Sequence, residues 1–299
     1  MPPSRARTTT ALALLLLTAT ACTAAEREPT PAPHSLPVSR QARELRLPLD
    51  AYASTIAETH LVEDAQDILM RRCMKNRGME WKSLPRVDAQ DTEPPNLRRY
   101  GADEVEALRH GYHPSPDPPS VVRRNRAWDT REALPAEVQR AAYGPSGKGG
   151  CLKITDRQLV GDTAPLDFHA FNRLTGSALE TSRRTPEVRD ALRRWHTCMA
   201  KTGSDYPDPY AAAGDKRWET SEPTPAERAT ARADVACQKS TKLVKVWSAA
   251  ETRVQHRLIR QHTDRLDTAK TRKDRWLTAA RRVLNQEGGT NHQHRASAR

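Results

Sequence analysis

Apolar side chains recur every three to four residues along much of the chain, which is the spacing of amphipathic helices. One such stripe runs from Leu61 to Cys73 and stops before Gly78. Thr55 and Glu58 precede it as a capping box, which marks a helix start. Alternation of β-branched and polar residues is nearly absent. The pattern therefore predicts an all-α fold, a helical bundle.

Further helices are predicted by the same spacing. One begins at Thr185, with Pro186 at the first helical position, and runs to Gly203. Shorter helices are predicted at 102–110, 135–143 and 166–182. The proline-rich stretches 82–95 and 113–119 are predicted to be irregular.

The longest stripe follows a second capping box, formed by Thr224 and Glu227, and meets no Pro or Gly before Gly288. It predicts a long basic helix over 225–287, either continuous or bent near 261–264. Residues 288–299 are predicted to be a disordered polar tail. The small and apolar positions of the stripe are Ala229, Ala233, Ala236, Leu243, Trp247, Ala250, Val254, Leu258, Leu266, Ala269, Trp276, Leu277, Ala280 and Leu284.

The first 21 residues have the three parts of an export signal. Arg5 and Arg7 supply positive charge, an apolar run extends from Ala11 to Leu17, and small residues end the segment. The run is too short to span a bilayer, which takes about 20 residues. Residues 1–21 are therefore predicted to be a signal peptide.

Cys22 follows the small residues directly, as in the lipobox of bacterial lipoproteins, where the cysteine is lipidated and becomes the mature N-terminus. Ala19 stands where that motif usually has Leu, and ordinary signal-peptidase cleavage is the alternative. Lipidation of Cys22 predicts an extracytoplasmic protein anchored to the outer face of the cell membrane. Residues 22–49, rich in Pro, are predicted to be a tether, and 50–287 a helical domain.

Four further cysteines, in a chain predicted to be exported, indicate two disulfides with three possible connectivities. Chain order favours Cys73–Cys151 and Cys198–Cys237. The chain-entropy model gives each closed loop about 4 kcal/mol of stabilisation. No pair has C-x-x-C spacing, which argues against a zinc site and against redox catalysis.

A short repeat surrounds two of these cysteines. Residues 73–81 and 198–206 share the pattern C-M-x-x-x-G-x-x-aromatic. It is typical of a helix C-terminus, in which Gly adopts the left-handed conformation and the aromatic side chain folds back.

Three further segments share features with a known group of proteins. They are Cys73-Met74 with Gly78, Tyr206-x-Asp208-Pro209, and Asp234-Val235-Ala236-Cys237 followed by Val246-Trp247. In these segments the chain resembles exported actinobacterial lipoproteins of unknown function, over most of its mature length. The resemblance implies export and a helical fold, and it supplies no catalytic residues.

The charge of the chain is concentrated at its C-terminal end. The formal net charge is +12, and residues 225–299 hold 17 Lys and Arg against 7 Asp and Glu. Residues 22–224 hold 30 of each and are neutral. An exported protein does not ordinarily meet nucleic acid, so anionic lipid, wall polymer or an envelope protein complex is the expected partner. The arginines predicted to make that contact are Arg253, Arg257, Arg260, Arg272, Arg275 and Arg282.

The sequence gives only weak evidence for catalytic residues. His60, Asp64, Asp67 and Arg71 share one helical face and are interpreted as a solvated face opposite the apolar stripe. Histidine pairs near 110–113 and 292–294 lack further metal ligands, and no nucleophile motif is present. No cofactor or metal is expected.

These observations favour a non-enzymatic interaction or accessory module at the cell envelope, bound through its basic helix. The alternative is an envelope enzyme acting on wall polymer, which would require a deep pocket with convergent carboxylates or histidines.

Overall fold

Helices dominate the computed structural model, which describes residues 37–147, 149–161 and 168–296, with side chains in the last range given between 169 and 287. These residues contain no β-strand, so the predicted all-α fold is confirmed. The described α-helices are α1 Arg40–Glu44, α2 Ile56–Lys75, α3 Glu104–His110, α4 Pro119–Glu132, α5 Ala136–Tyr143, α6 Gly150–Val160, α7 Phe168–Arg183, α8 Pro186–Ala200, α9 Pro209–Ala213, α10 Pro225–Ser240, α11 Leu243–Gln261 and α12 Thr263–Ala296. Short 3-10 turns occur at Pro48–Tyr52, Ala89–Asp91 and Lys216–Trp218.

One group of helices, α2, α5, α6 and α12, surrounds Cys73 and is called the Cys73 group. The last helix, α12, packs along the first long helix, α2, around buried Ala65 and Ala280. At one end of the pair, Lys273 Nζ lies 3.8 Å from Glu58 Oε2. Near the other end, Arg72 Nη2 lies 2.9 Å from Glu287 Oε2. The two helices therefore run parallel.

The other group, α3 with α7 to α11, surrounds Cys198 and is called the Cys198 group. Its core holds Trp195, Met199, Leu243 and Trp247, all without exposed surface. The turn Pro48–Tyr52 contacts both α11 and α12 and joins this group to the Cys73 group.

Each group contains one disulfide. Cys73 is bonded to Cys151, and Cys198 to Cys237, with Cα atoms 5.8 and 5.6 Å apart. The connectivity favoured by chain order is confirmed.

The two copies of the cysteine repeat end their helices in the same way. Gly78 and Gly203 have φ of +72° and +81°. The amide five residues after each buried Met donates to that Met's carbonyl oxygen, at 3.0 Å to Met74 and 3.1 Å to Met199. These are the 6→1 bonds of a Schellman-type helix end. The repeat is thus one capping device used twice.

The predicted helix over 225–287 is three helices. One break lies near 262, where a bend was allowed for, and the other lies at Lys242, where none was predicted. In a continuous helix Leu243 would lie about 240° around the axis from Cys237. The turn at Lys242 lets both join the same core.

Both ends of the predicted domain also differ from expectation. Residues 37–49 were assigned to the tether, but Leu47 and Leu49 are buried there and the Leu49 amide donates to Gln255 Oε1 at 2.8 Å. The predicted disordered tail, 288–299, has helical backbone as far as Ala296. Two adjacent glycines weaken a helix by about 1 kcal/mol each but do not end it. The signal peptide and Cys22 lie outside the described residues.

Candidate functional site

The exposed charges on α11 are all positive. Glu251 is the one acidic residue in this helix, and it is fully buried. Arg253, Arg257 and Arg260 are exposed and follow one another at i, i+4 and i+7 on one face. Arg253 forms an ion pair with Glu187 of α8. Within the described part of the chain, no ion pair involves Arg257 or Arg260. These three arginines are called the α11 arginine face.

The other three predicted contact arginines lie on α12 and do not continue that face. The break near 262 redirects the chain, so that α11 packs against α7 and α8 while α12 packs against α2 and α6. Arg275 and Arg282 are exposed, whereas Arg272 is half-buried at a cavity. Acidic side chains are interspersed on α12, and Lys270 pairs with Asp274 at 2.7 Å. The six arginines predicted to make the contact therefore lie on two helices with different packing partners.

The cavity beside Arg272 lies where the two helix groups meet, and it is called the junction pocket. The turn Pro48–Tyr52, α7, the end of α11 and the start of α12 enclose about 660 Å³. Its apolar lining side chains include Tyr52, Phe171, Leu174, Leu258 and Leu266. Of these, Leu266 is part of a buried core cluster and the other four pack against that cluster. The pocket is thus the open side of a hydrophobic core.

Charged side chains line the same pocket. Arg173, Arg265 and Arg272 contribute three cations. Asp264 is the one carboxylate among the described residues that line it. The described lining therefore does not bring two carboxylates together.

Buried carboxylates lie elsewhere, in a row along α10 and α11. Glu227, Asp234 and Glu251 have no exposed surface. Segment 99–113 supplies hydrogen-bond donors to all three. Glu227 accepts from the Tyr112 amide at 2.8 Å and from the His113 amide at 3.1 Å. Its Oε1 also lies 2.7 Å from His113 Nδ1.

Asp234 and Glu251 are similarly enclosed. Asp234 accepts from Trp195 Nε1 at 2.8 Å and from Gln238 Nε2 at 2.9 Å. Glu251 accepts from the Tyr100 hydroxyl at 2.8 Å and pairs with Arg99. Buried charges are costly unless paired and hydrogen-bonded. These carboxylates therefore hold segment 99–113 against the Cys198 group.

Burial changes the titration of this row. It raises the pKa of Asp234 to about 6, against the opposing effect of its hydrogen bonds from Gln238, Trp195 and Tyr112. The Thr220 carbonyl and the Glu227 carboxylate raise the pKa of His113, because both hold its protonated form.

Part of the face of α2 that was interpreted as solvated is in fact buried against α4 and the segment that holds Trp81 and Leu84. Asp67 is 5% exposed and accepts from Trp81 Nε1 at 3.0 Å and from the Leu84 amide at 2.7 Å. It also pairs with Arg131 of α4. Asp64 contacts the buried Arg124 of α4 at 2.7 Å. These carboxylates attach α4 to α2.

The described residues offer neither a metal-binding cluster nor a membrane-spanning helix. They contain no group of three or more His, Cys, Asp or Glu side chains placed to hold a metal ion. No helix among them is both long and apolar enough to cross a bilayer.

Comparison of the chain with models of known protein families, with characterised proteins and with solved structures finds no match. The resemblance to exported actinobacterial lipoproteins therefore stays a prediction.

Proposed function

We propose that this chain is an exported lipoprotein, anchored to the outer face of the cell membrane through Cys22. It acts there as a non-enzymatic interaction module, and the α11 arginine face contacts an anionic surface of lipid headgroups or wall polymer. The sequence features of the first 22 residues support the anchoring. The uniform sign of the exposed charges on α11 supports the contact.

The observation that carries the contact is the environment of Arg257 and Arg260. Both are exposed, and no exposed carboxylate on α11 neutralises them. Near an anionic surface each such cation contributes about 1 kcal/mol, and the effect falls off within a Debye length. Two arginines therefore supply about 2 kcal/mol, which corresponds to roughly 30-fold in affinity.

The test uses the exported chain carrying Cys22→Ser, so that no lipid holds it to the membrane. Its sedimentation with phosphatidylglycerol vesicles is compared with that of the same chain carrying Arg257→Gln and Arg260→Gln. We expect association of the parent chain at low salt and a loss of roughly 30-fold in the double variant. Phosphatidylcholine vesicles should not be bound. Truncation before α12 is unsuitable, since it would also strip the partner helix from α2.

A matched control is available on α4. Arg123 and Arg126 are exposed and have the same i, i+3 spacing as Arg257 and Arg260. Arg123→Gln with Arg126→Gln removes the same charge from a different surface and should leave binding near the parent value. Equal losses in both double variants would show that net charge, and not the α11 arginine face, controls association.

The anchoring is tested separately by mass spectrometry of the mature N-terminus. We expect a diacylglyceryl-modified Cys22. An unmodified Cys22 or a Thr23 start would contradict the lipoprotein proposal and leave the vesicle result unaffected.

A further inference from the structure

We propose that the protein rests on an anionic bilayer through a surface formed by α3, α10 and the start of α11. Exposed Leu108 and three exposed cations, Arg232, Lys242 and Lys245, define this surface, which is called the α3–α10 surface. It is separate from the α11 arginine face, and its orientation toward the bilayer rests on the proposed anchoring at Cys22.

Two neighbouring clefts make the α3–α10 surface continuous. One lies between α3 and α10, and its lining includes Leu108 and Arg232. The other lies at the turn between α10 and α11, and its lining includes Lys242 and Lys245. The residues that line both clefts are Glu104, Val235 and Lys239. The two clefts therefore join along α10.

The carboxylates of the two clefts already have partners. Glu104 forms an ion pair with Lys239. Asp103 is 7% exposed and accepts from the amides of Ser39 and Val105, both at 3.0 Å. These are the only carboxylates among the described residues that line either cleft.

Three cations of the α3–α10 surface have no carboxylate partner. Within the described part of the chain, no ion pair involves Arg232, Lys242 or Lys245, and all three are exposed. Arg98 and Arg99, which line the cleft at the turn, pair instead with buried carboxylates. An anionic surface would therefore meet three cations that no carboxylate of the protein neutralises.

Leu108 favours lipid over a soluble polyanion as the partner. It is 53% exposed, more than any other large apolar residue among those described. It lines the same cleft as Arg232, so apolar and cationic groups lie side by side. Binding to a bilayer surface increases with buried apolar area and with attraction to anionic lipid. A wall polymer offers phosphate but no apolar phase, so lipid is the partner that uses both features.

The start of the described chain lies beside the same surface. Ser39 lines the cleft that Lys242 and Lys245 line. Cys22 lies 15 positions before Pro37, the first described residue, a reach of at most about 50 Å. A lipid on Cys22 would therefore hold this side of the protein near the bilayer.

Sedimentation of the exported Cys22→Ser chain with phosphatidylglycerol vesicles tests the contribution of Leu108. Leu108→Gln should weaken binding roughly fivefold, because about half of a Leu side chain is available for burial in the lipid. Leu108→Trp should bind more tightly, since Trp favours the membrane interface. Ile154 is 42% exposed on α6, so Ile154→Gln is the matched control and should bind like the parent. Equal binding by the parent and by Leu108→Gln would overturn the proposal.

Removal of charge tests the cations. Arg232→Gln with Lys245→Gln should weaken vesicle binding roughly 30-fold at low salt. The Arg123→Gln, Arg126→Gln chain loses the same charge on α4 and should stay near the parent value. Higher salt should shrink the loss caused by the charge changes and preserve the loss caused by Leu108→Gln. Equal losses in the two charge variants would overturn the assignment of this surface.

Polyphosphate, which is anionic but has no apolar phase, separates this proposal from the proposed function. Leu108→Gln should leave polyphosphate binding unchanged, and a fivefold loss there would overturn the insertion of Leu108 into lipid. Absence of vesicle binding by the parent chain would overturn this proposal, whereas polyphosphate binding that depends on Arg257 and Arg260 would still support the α11 arginine face. If Arg257→Gln with Arg260→Gln binds vesicles like the parent while Leu108→Gln does not, the α11 contact alone is wrong.

Discussion

Gly150 has a left-handed backbone, with φ of +60°, immediately before Cys151. A Cβ atom there would lie 2.4 Å from the Ala141 carbonyl oxygen and 2.7 Å from that of Ala142. We therefore predict that Gly150→Ala lowers the free energy of unfolding by more than the 1–2 kcal/mol or so that a left-handed backbone costs an L-residue. Urea denaturation of the oxidised protein measures this.

Gly147 is the matched control for that prediction. It has φ of +74° in the same loop, but a Cβ atom there would meet nothing within 4 Å. Gly147→Ala should cost about 1–2 kcal/mol, from the backbone conformation alone. Equal losses of unfolding free energy in the two variants would contradict this prediction. They would mean that the backbone around Gly150 shifts enough to accommodate the added Cβ atom.

His113 gives the stability of the protein a pH dependence. Its pKa is raised in the folded state by Thr220 and Glu227. The stabilisation from His113 is therefore complete below the pKa of His in the unfolded chain, about 6.5. It is lost as the pH rises through the higher pKa of His113 in the folded protein. We predict that the unfolding free energy falls above pH 6.5, and that His113→Gln removes this fall. His256→Gln, an exposed change on α11, should keep the slope. A slope that survives His113→Gln would assign it to another group.

At the scale of elements, the sequence allowed the helical class, the capping boxes and the buried stripe of α11 to be predicted. Leu243, Trp247, Ala250 and Val254 are all buried as expected. On α10 the predicted stripe is wrong at Ala229 and Ala236, which are exposed, whereas Ala233 packs against the core. The buried residues of α10 are Glu227, Ala231, Asp234, Cys237 and Gln238.

The error on α10 has a physical cause. Hydrophobic periodicity treats acidic residues as solvated, but here segment 99–113 supplies donors that make their burial possible. Those partners lie more than 100 residues away, so nothing local to α10 signals them. The same limit applies to Asp67 of α2, because its partner helix α4 carries Arg124 and Arg131 on its buried side and was not predicted from apolar spacing.

The junction pocket shows the limit for sites. Its lining comes from four elements, and Arg272 is the one residue of it among the predicted contact arginines. The break near 262 creates the pocket by letting α12 leave the direction of α11. The sequence predicts a possible bend near 262, but it does not predict which other elements pack around that bend.

The break at Lys242 leads to a prediction at this scale. Lys242 has φ of +55°, a conformation that costs an L-residue about 1–2 kcal/mol. Lys242→Gly removes that cost but gives the unfolded chain more freedom, so we expect a net gain of up to about 1 kcal/mol. Thermal unfolding measures it. Ala249→Gly, at an exposed position inside α11, should instead lose about 1 kcal/mol. A loss in both variants would mean that the Lys242 side chain stabilises the turn.

At the scale of the whole molecule, each of the two disulfides cross-links a different helix group. They close loops with sequence separations of 78 and 39 residues. The chain-entropy model gives about 4.5 kcal/mol for the longer loop and about 4 kcal/mol for the shorter one. Replacing Cys73 and Cys151 by Ser should therefore destabilise the protein slightly more than replacing Cys198 and Cys237. Urea denaturation of both double variants measures the difference in unfolding free energy. A much smaller loss of stability in either variant would mean that its helix group retains structure in the unfolded state.

The parallel pairing of α2 with α12 bears on the timing of folding. Arg72 meets Glu287 across 215 residues of sequence, so the side of α2 that packs on α12 has no partner until the last helix exists, whereas α5 and α6 cover another part of α2 earlier. A chain emerging from the ribosome folds its N-terminal part first only where that part can bury itself. Here the side of α2 that faces α12 cannot, and the Cys73 group is completed only when synthesis ends. Under the export that we propose, this delay keeps the Cys73 group incomplete, and therefore easier to thread through a translocation channel, until the last helix is made.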